Sequence, residues 1–314
     1  MKPALFSNAL SLYNRQYAGR IEAAAATCGL PTHSFDATAF ANPATLDAML
    51  QREADTGCDT LFINGGDGTL DFIIARLRGE TLAGWNPDIL LLRGGTTNMT
   101  HRDVGYGADP VRALDRALRR DTPWTRTLRD VICLSGGDLP FPQYGFFFGS
   151  HAIARAIRRA RGSLHARGIH GVAGEALLFL SALSALLRGK VAHHPIVAPA
   201  PLDFNLHGQH RQEHHIFFIA TTLNTLLLGM RAATPTPQRL GCMALLAPVD
   251  GFWRHIPSLW RGTPEQYAGC LLRWYDHEIT LAMEGEVTLD GELFSSRHAA
   301  PLTLTIAPPV AFLT

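Results

Sequence analysis

Gly65, Gly66, Asp67, Gly68 and Thr69 stand where the apolar run "TLFIN" gives way to "TLDFIIARLRG", a run with helical spacing. Glycines at a strand-to-helix turn let a ligand approach the backbone closely, and the N–H groups at the helix start favour phosphate. A carboxylate in such a turn repels phosphate unless a divalent cation lies between them, so Asp67 points to Mg2+ coordination. Thr69 adds a hydroxyl for a phosphate oxygen. The same residues also read as a plain tight turn in which Asp67 caps the helix.

A second glycine loop, "RGGTTNM", follows the next apolar run, "DILLL". Gly94 and Gly95 permit close approach, and Thr96 and Asn98 can hydrogen-bond phosphate, ribose or a metal-bound water. Two such loops after neighbouring parallel strands lie side by side at the C-terminal edge of a sheet, where open α/β sheets bind ligands. Neither loop has the GxxxxGK[ST] pattern of a P-loop. "SGGDLP", residues 135–140, repeats Gly-Gly-Asp, but it lies between two antiparallel-type runs and continues into Leu139 and Pro140. It reads as a hairpin turn.

Acids recur far downstream in "VTLDGELF". Asp-Gly inside an alternating run signals a hairpin turn. If the strand instead continues, Asp290 and Glu292 emerge on one face, and paired acids at a cleft suit general-base chemistry or metal binding. His207, His210, His214 and His215 are crowded, with His193 and His194 nearby, yet they fall in a polar hairpin without a cysteine partner. Solvated or hydrogen-bonded histidines are expected there in preference to zinc ligands.

The elements that must position these residues divide in two. Residues 1–123 alternate short apolar runs with helical segments, which implies an α/β domain with a parallel sheet. Residues 124–314 carry strand-like runs separated by turn residues, a β-rich antiparallel domain with one helical insertion at about 151–188. Its last segment can pack back on the first domain. A chain of 314 residues with 46% hydrophobic residues can bury a sizeable core, and a net charge of +1 supplies no field for a nucleic-acid partner. Five scattered cysteines without CxxC spacing fit free thiols in a reducing compartment. The N-terminal apolar run is too short for a signal-peptide core, and no run reaches membrane-spanning length, so a cytoplasmic location is expected.

In order and position, "GGDGT", "GGTTN" and "DGE" resemble the diacylglycerol kinase catalytic domain family, which includes soluble bacterial lipid kinases and sphingosine and ceramide kinases. The resemblance implies a two-domain fold that transfers the γ-phosphate of ATP to a lipid hydroxyl, diacylglycerol by default or ceramide or a sphingoid base. It implies that Gly65, Gly66, Asp67, Gly68 and Thr69 form the nucleotide and magnesium loop, and that Gly95, Thr96 and Asn98 flank the phosphates. Glu292, supported by Asp290, matches the acid that takes the acceptor's proton. Asn8 stands where the family has the asparagine of "N-P-x-S-G", although "SNALSLYN" has no glycine. Met99 replaces the family's aspartate, Arg93 its proline, and Asp71 a common asparagine. "RLG" at 239–241 replaces the family's Asp-Gly-Leu turn, so no second metal is expected. A NAD kinase would share GGDGT but lacks a match for its later motifs here, and a catalytically silent lipid-binding relative would keep the fold while losing acids.

A lipid kinase must meet a membrane surface. "HAIARAIRRARGSLHARG", residues 151–168, sets arginines among apolar residues ahead of "EALLFLSALSALLRGK", as for a peripheral amphipathic helix or an ordinary packed one. "DGFWRHIPSLWRG", residues 250–262, is a second such edge. Edge strands in the second domain could pair subunits into a homodimer or be covered.

Overall fold

The computed structural model describes the chain outside residues 12, 13, 15, 16, 36–41, 96, 97, 120–122, 161–180, 207, 227, 228, 232–235, 262–265, 267 and 268. The chain divides into two compact units, Met1–Arg129 with Pro308–Thr314, and Asp130–Ala307. The sequence places the division at 123/124.

In the first unit, strands β1 (Pro3–Asn8), β2 (Thr32–Phe35), β3 (Thr60–Gly65) and β4 (Asp88–Arg93) form a parallel sheet in the order β2-β1-β3-β4. Beside β4 lies the end of β15 (Leu302–Leu313), where Phe312 pairs in parallel with Ile89. β3 is buried along its whole length and β4 along its middle, as expected of parallel strands covered on both faces. The helices are α1 (Ala18–Thr27), α2 (Pro43–Asp55), α3 (Asp67–Leu77), α4 (Met99–Val104) and α5 (Pro110–Arg119). Asn42 starts α2 by accepting the Ala44 N–H at 3.2 Å, with Pro43 in the first helical position. Ile21 and Ala25 of α1 pack with Ala113, Leu114 and Ala117 of α5 over Leu5, Phe62, Leu90 and Leu92 of the sheet. α4 was not expected from the sequence, which assigns no element between Asn98 and Asp109.

The second unit is antiparallel and β-rich. It contains β5 (Arg126–Gly136, from Asp130 onward), β6 (Gln143–Gly145), β7 (Phe147–Ser150), α6 (Ala152–Arg159), β8 (Ala200–Leu206) and β9 (Gln209–Thr221). These are followed by β10 (Leu240–Leu246), β11 (Leu271–Asp276), β12 (Glu278–Ala282), β13 (Gly285–Leu289), β14 (Glu292–Ser296) and the start of β15. Its pairings include β7–β9, β8–β9, β9–β10, β10–β11 and β13–β14. Phe204, Phe218 and Trp274 meet at its core with ring centroids 5.7 Å to 6.4 Å apart. Gly136 and Gly137, both at positive φ, turn the chain out of β5, so the "SGGDLP" stretch is a turn. β10 and β11 were not read as strands from the sequence. Of the helical insertion, α6 and residues 181–187 are helical, while 161–180, and with them the end of the arginine-rich stretch and the start of the apolar one, lie outside the described residues.

Candidate nucleotide site in the first unit

β1, β3 and β4 end together at the C-terminal edge of the parallel sheet, and each end carries a residue singled out by sequence. Gly65 closes β3 and Arg93 closes β4 opposite it. From there the two glycine loops run against each other. The Gly94 N–H donates to the Gly65 carbonyl at 3.0 Å. A Cβ on Gly94 would lie 2.7 Å from the Gly65 nitrogen, and one on Gly95 would lie 2.5 Å from the Gly66 Cα. Such distances exclude any side chain, so glycine is required at this crossing because two backbones meet there.

Asp67 joins the loops through its side chain. It occupies the first position of α3, buried to 9% exposure, and its carboxylate reaches past its own helix. Oδ2 accepts the Met99 N–H and Oδ1 the Thr100 N–H, each at 3.0 Å. Asp67 therefore caps α4, the helix of the second loop, and not the helix it begins. Burial pushes its carboxyl above the ordinary range, while the Met99 and Thr100 N–H groups and the Arg102 charge hold it down. Asn98 sits in left-handed backbone, φ 47° and ψ 47°. Its Oδ1 accepts the Gly95 N–H at 2.8 Å and its Nδ2 donates to the Gly95 carbonyl, so its side chain fixes the turn before α4.

Asparagines form the floor of the site. Asn8, ending β1, donates from Nδ2 to Thr69 Oγ1 at 2.7 Å and accepts the Leu10 N–H on Oδ1 at 2.9 Å. Asn14, fully buried, donates to the carbonyls of Asn8 at 2.9 Å and Asn64 at 3.1 Å. Asn64 donates to Ser7 Oγ at 3.1 Å. Asn14 thus links the ends of β1 and β3. The sequence reading missed Asn14 and Asn64; the available signal was an asparagine as the last residue of "TLFIN" and another six residues after Asn8.

Gly65, Gly66, Asp67, Thr69, Gly95, Asn98 and Asn8 are thus brought to one place, with Gly68 in the first turn of α3. Thr96 lies outside the described residues. A magnesium ion is normally held by one or two carboxylates together with substrate phosphates and water. Asp67 fits that role, since each carboxylate oxygen keeps acceptor capacity beyond its single backbone hydrogen bond. Among the described residues no group of three or more His, Cys, Asp or Glu is arranged to hold a metal by protein ligands alone.

Within the second unit, Asp290 and Gly291 form the two-residue turn joining β13 to β14, with φ 46° and 97° and Leu289 paired to Glu292. The hairpin reading of Asp-Gly holds, and the continuing strand that would put both carboxylates on one face does not form. The Asp290 Oδ2 accepts the Phe146 N–H at 2.5 Å and its own N–H donates to the Phe147 carbonyl at 2.8 Å. Glu292 follows at the start of β14 and is exposed.

Residues 7–129 match the family model described as the diacylglycerol kinase catalytic domain. No curated protein matches the chain. Three solved structures from Bacillus anthracis str. Sterne share the fold, each covering 99% of this chain and 96% of its own. One, a diacylglycerol kinase, is 12% identical with a TM-score of 0.59. The other two, provisionally assigned as diacylglycerol kinases, are 14% and 16% identical with TM-scores of 0.65 and 0.62.

Proposed function

We propose, for a chain whose residues 7–129 match the diacylglycerol kinase catalytic domain model, that the protein transfers the γ-phosphate of ATP to a lipid hydroxyl. The observation that carries this reading is the crossing of the two glycine loops at the sheet edge, bolted by Asp67 to the backbone of Met99 and Thr100. Phosphoryl transfer asks a protein chiefly for positioning and charge neutralisation. The glycine backbones let phosphate oxygens come close, and Asn8, Asn14 and Asn98 keep those backbones in place. Thr69 faces the site from the first turn of α3, already oriented by Asn8. A magnesium ion, when bound, neutralises phosphate charge, and Asp67 is the carboxylate that would hold it.

Glu292 is the residue proposed to take the acceptor proton. It is exposed at the start of β14, as a base that must meet an incoming substrate can be, whereas the Asp290 carboxylate accepts the Phe146 N–H inside the turn. Diacylglycerol is the default acceptor, with ceramide or a sphingoid base next, at the surface of a membrane.

The test is incubation of purified protein with magnesium and γ-labelled ATP against diacylglycerol, ceramide, sphingosine, undecaprenol and NAD. Label in the lipid extract is expected. Label in NAD, or in none of the acceptors, overturns the proposal.

A further inference from the structure

Two indoles in the second unit face outward. Trp253 is 62% exposed and Trp260 41% exposed, in a domain whose remaining large apolar side chains are mostly buried. They recur within a short internal repeat: Phe-Trp-Arg at 252–254 and Leu-Trp-Arg at 259–261, seven residues apart. The first triplet lies in a 3-10 turn, Phe252–His255, and the second in a single helical turn, Ser258–Arg261. In each the leading apolar residue is the anchor, Phe252 at 3% exposure and Leu259 at 7%. The two triplets thus hold both anchors inward and both tryptophans outward.

Cationic groups accompany the indoles. The Arg254 guanidinium stacks over the Trp253 ring at 5.2 Å from its centroid, and Arg254 is itself exposed. Arg231, also exposed, is fastened to the same element, its N–H donating to the Leu259 carbonyl at 2.8 Å. Trp260 lies against Gly229 of that neighbouring segment. No acidic residue occurs between Gly251 and Arg261, and Asp250 stands at the edge.

We propose that this face docks on the interfacial zone of an anionic phospholipid bilayer, the indoles entering at headgroup level and Arg254 and Arg231 meeting lipid phosphates. The amphipathic indole is suited to that zone, apolar in body and carrying one N–H for a headgroup oxygen. Arginine on an aromatic face keeps its donors available to phosphate. A second copy of the chain is a poorer occupant, because a two-fold contact through this patch would set Arg254 and Arg231 against their own counterparts. The inference rests on the reading of the protein as a lipid kinase for its purpose, but the attachment can be measured without turnover.

The experiment is flotation of the full chain with vesicles of phosphatidylcholine alone and of phosphatidylcholine and phosphatidylglycerol in equal parts. Wild type should float with the anionic vesicles and more weakly with the neutral ones. Arg254→Gln should cut anionic binding about fivefold. Trp253→Ser with Trp260→Ser should cut it roughly tenfold or more. Circular dichroism and thermal unfolding report whether the double variant keeps its fold, and Trp253→Ser alone serves if it does not. Activity on a short-chain acceptor dispersed in detergent should be retained by these variants while activity on vesicle-borne acceptor falls. Absence of wild-type flotation, or flotation of the folded variants equal to wild type, overturns the docking surface whatever the kinase assay shows. So does light scattering in which wild type is a dimer and the double variant a monomer while vesicles leave that dimer intact. Flotation as expected with no label transferred to any acceptor overturns the kinase reading alone.

Discussion

Asp67 and Met99, thirty-two positions apart, are joined by a 3.0 Å hydrogen bond from the Met99 N–H to a carboxylate at the start of another helix. The residue that sequence logic assigns to a metal is therefore also a bolt between the two loops. Asp67→Asn turns an amide N–H2 toward one of the two backbone donors and should cost about 1–3 kcal/mol of stability. It should also lower turnover about a hundredfold or more. Turnover measured well below the variant's unfolding midpoint separates the two effects; wild-type activity there would remove Asp67 from the chemistry.

Thr69→Val should leave the buried Asn8 donor without its 2.7 Å partner and cost about 1–3 kcal/mol, while Thr69→Ser should keep most of it. Urea unfolding of the two variants checks this. A Thr69→Ser midpoint below that of Thr69→Val would show that the methyl group, and not the hydroxyl, is what the site uses.

Gly95→Ala drives a methyl into the Gly66 backbone and should separate the loops, costing about 1–3 kcal/mol and raising the KM for ATP. Gly19→Ala is the control. A Cβ at Gly19, in α1, meets nothing within 4 Å and should leave stability unchanged or raised by up to about 1 kcal/mol. Thermal unfolding with ATP titration measures both.

Glu292→Gln should leave stability within about 0.5 kcal/mol, since the side chain is exposed, yet lower transfer by about a hundredfold or more with little change in the KM for ATP. Asp290→Asn should keep the left-handed turn, which asparagine tolerates, and weaken only the contact to the Phe146 N–H. A pH–rate profile of Glu292→Gln that retains wild-type turnover would reassign the base.

Acid should destabilise the protein through three buried histidines. Burial pushes His101 and His151 down to about 4 and His215 to about 3, from 6.5 when exposed. Between those values the unfolded chain binds more protons than the folded one, so stability is full above about pH 6.5 and falls as pH drops. Within the window each contributes about 1.4 kcal/mol per pH unit. His215→Phe, set among Phe204 and its neighbours, should flatten the slope between pH 6.5 and 4 in chemical denaturation; an unchanged slope would mean His215 titrates normally.

What could be read from sequence followed from local rules. Apolar runs and their punctuation located β1, β3, β4, α2 and α3, and glycine pairs located both loops. Asparagine before proline is a local helix-start pattern, and Asn42 with Pro43 begins α2. α4 was hidden because six residues carry too little periodicity, and its start depends on a carboxylate thirty-two residues away. The role of Asn14 was hidden for the same reason, since its partners are carbonyls, which have no identity in a sequence. At Asp290 the short-range turn signal prevailed over strand alternation because Asp-Gly adopts left-handed backbone at little cost.

The strand that flanks β4 is supplied by Pro308–Thr314, whereas everything else in the first unit has been translated by Arg129. Thr314 also closes a reciprocal pair with Thr125, at 2.9 Å and 3.0 Å, and Phe312 is fully buried. A nascent chain must therefore wait through Asp130–Ala307, on the order of ten to thirty seconds of ribosomal elongation, before that sheet edge is covered. During this interval β4 is an open template for mispairing, so chaperone demand should fall on the emerging N-terminal half, and a slowed ribosome should lower the yield of folded protein.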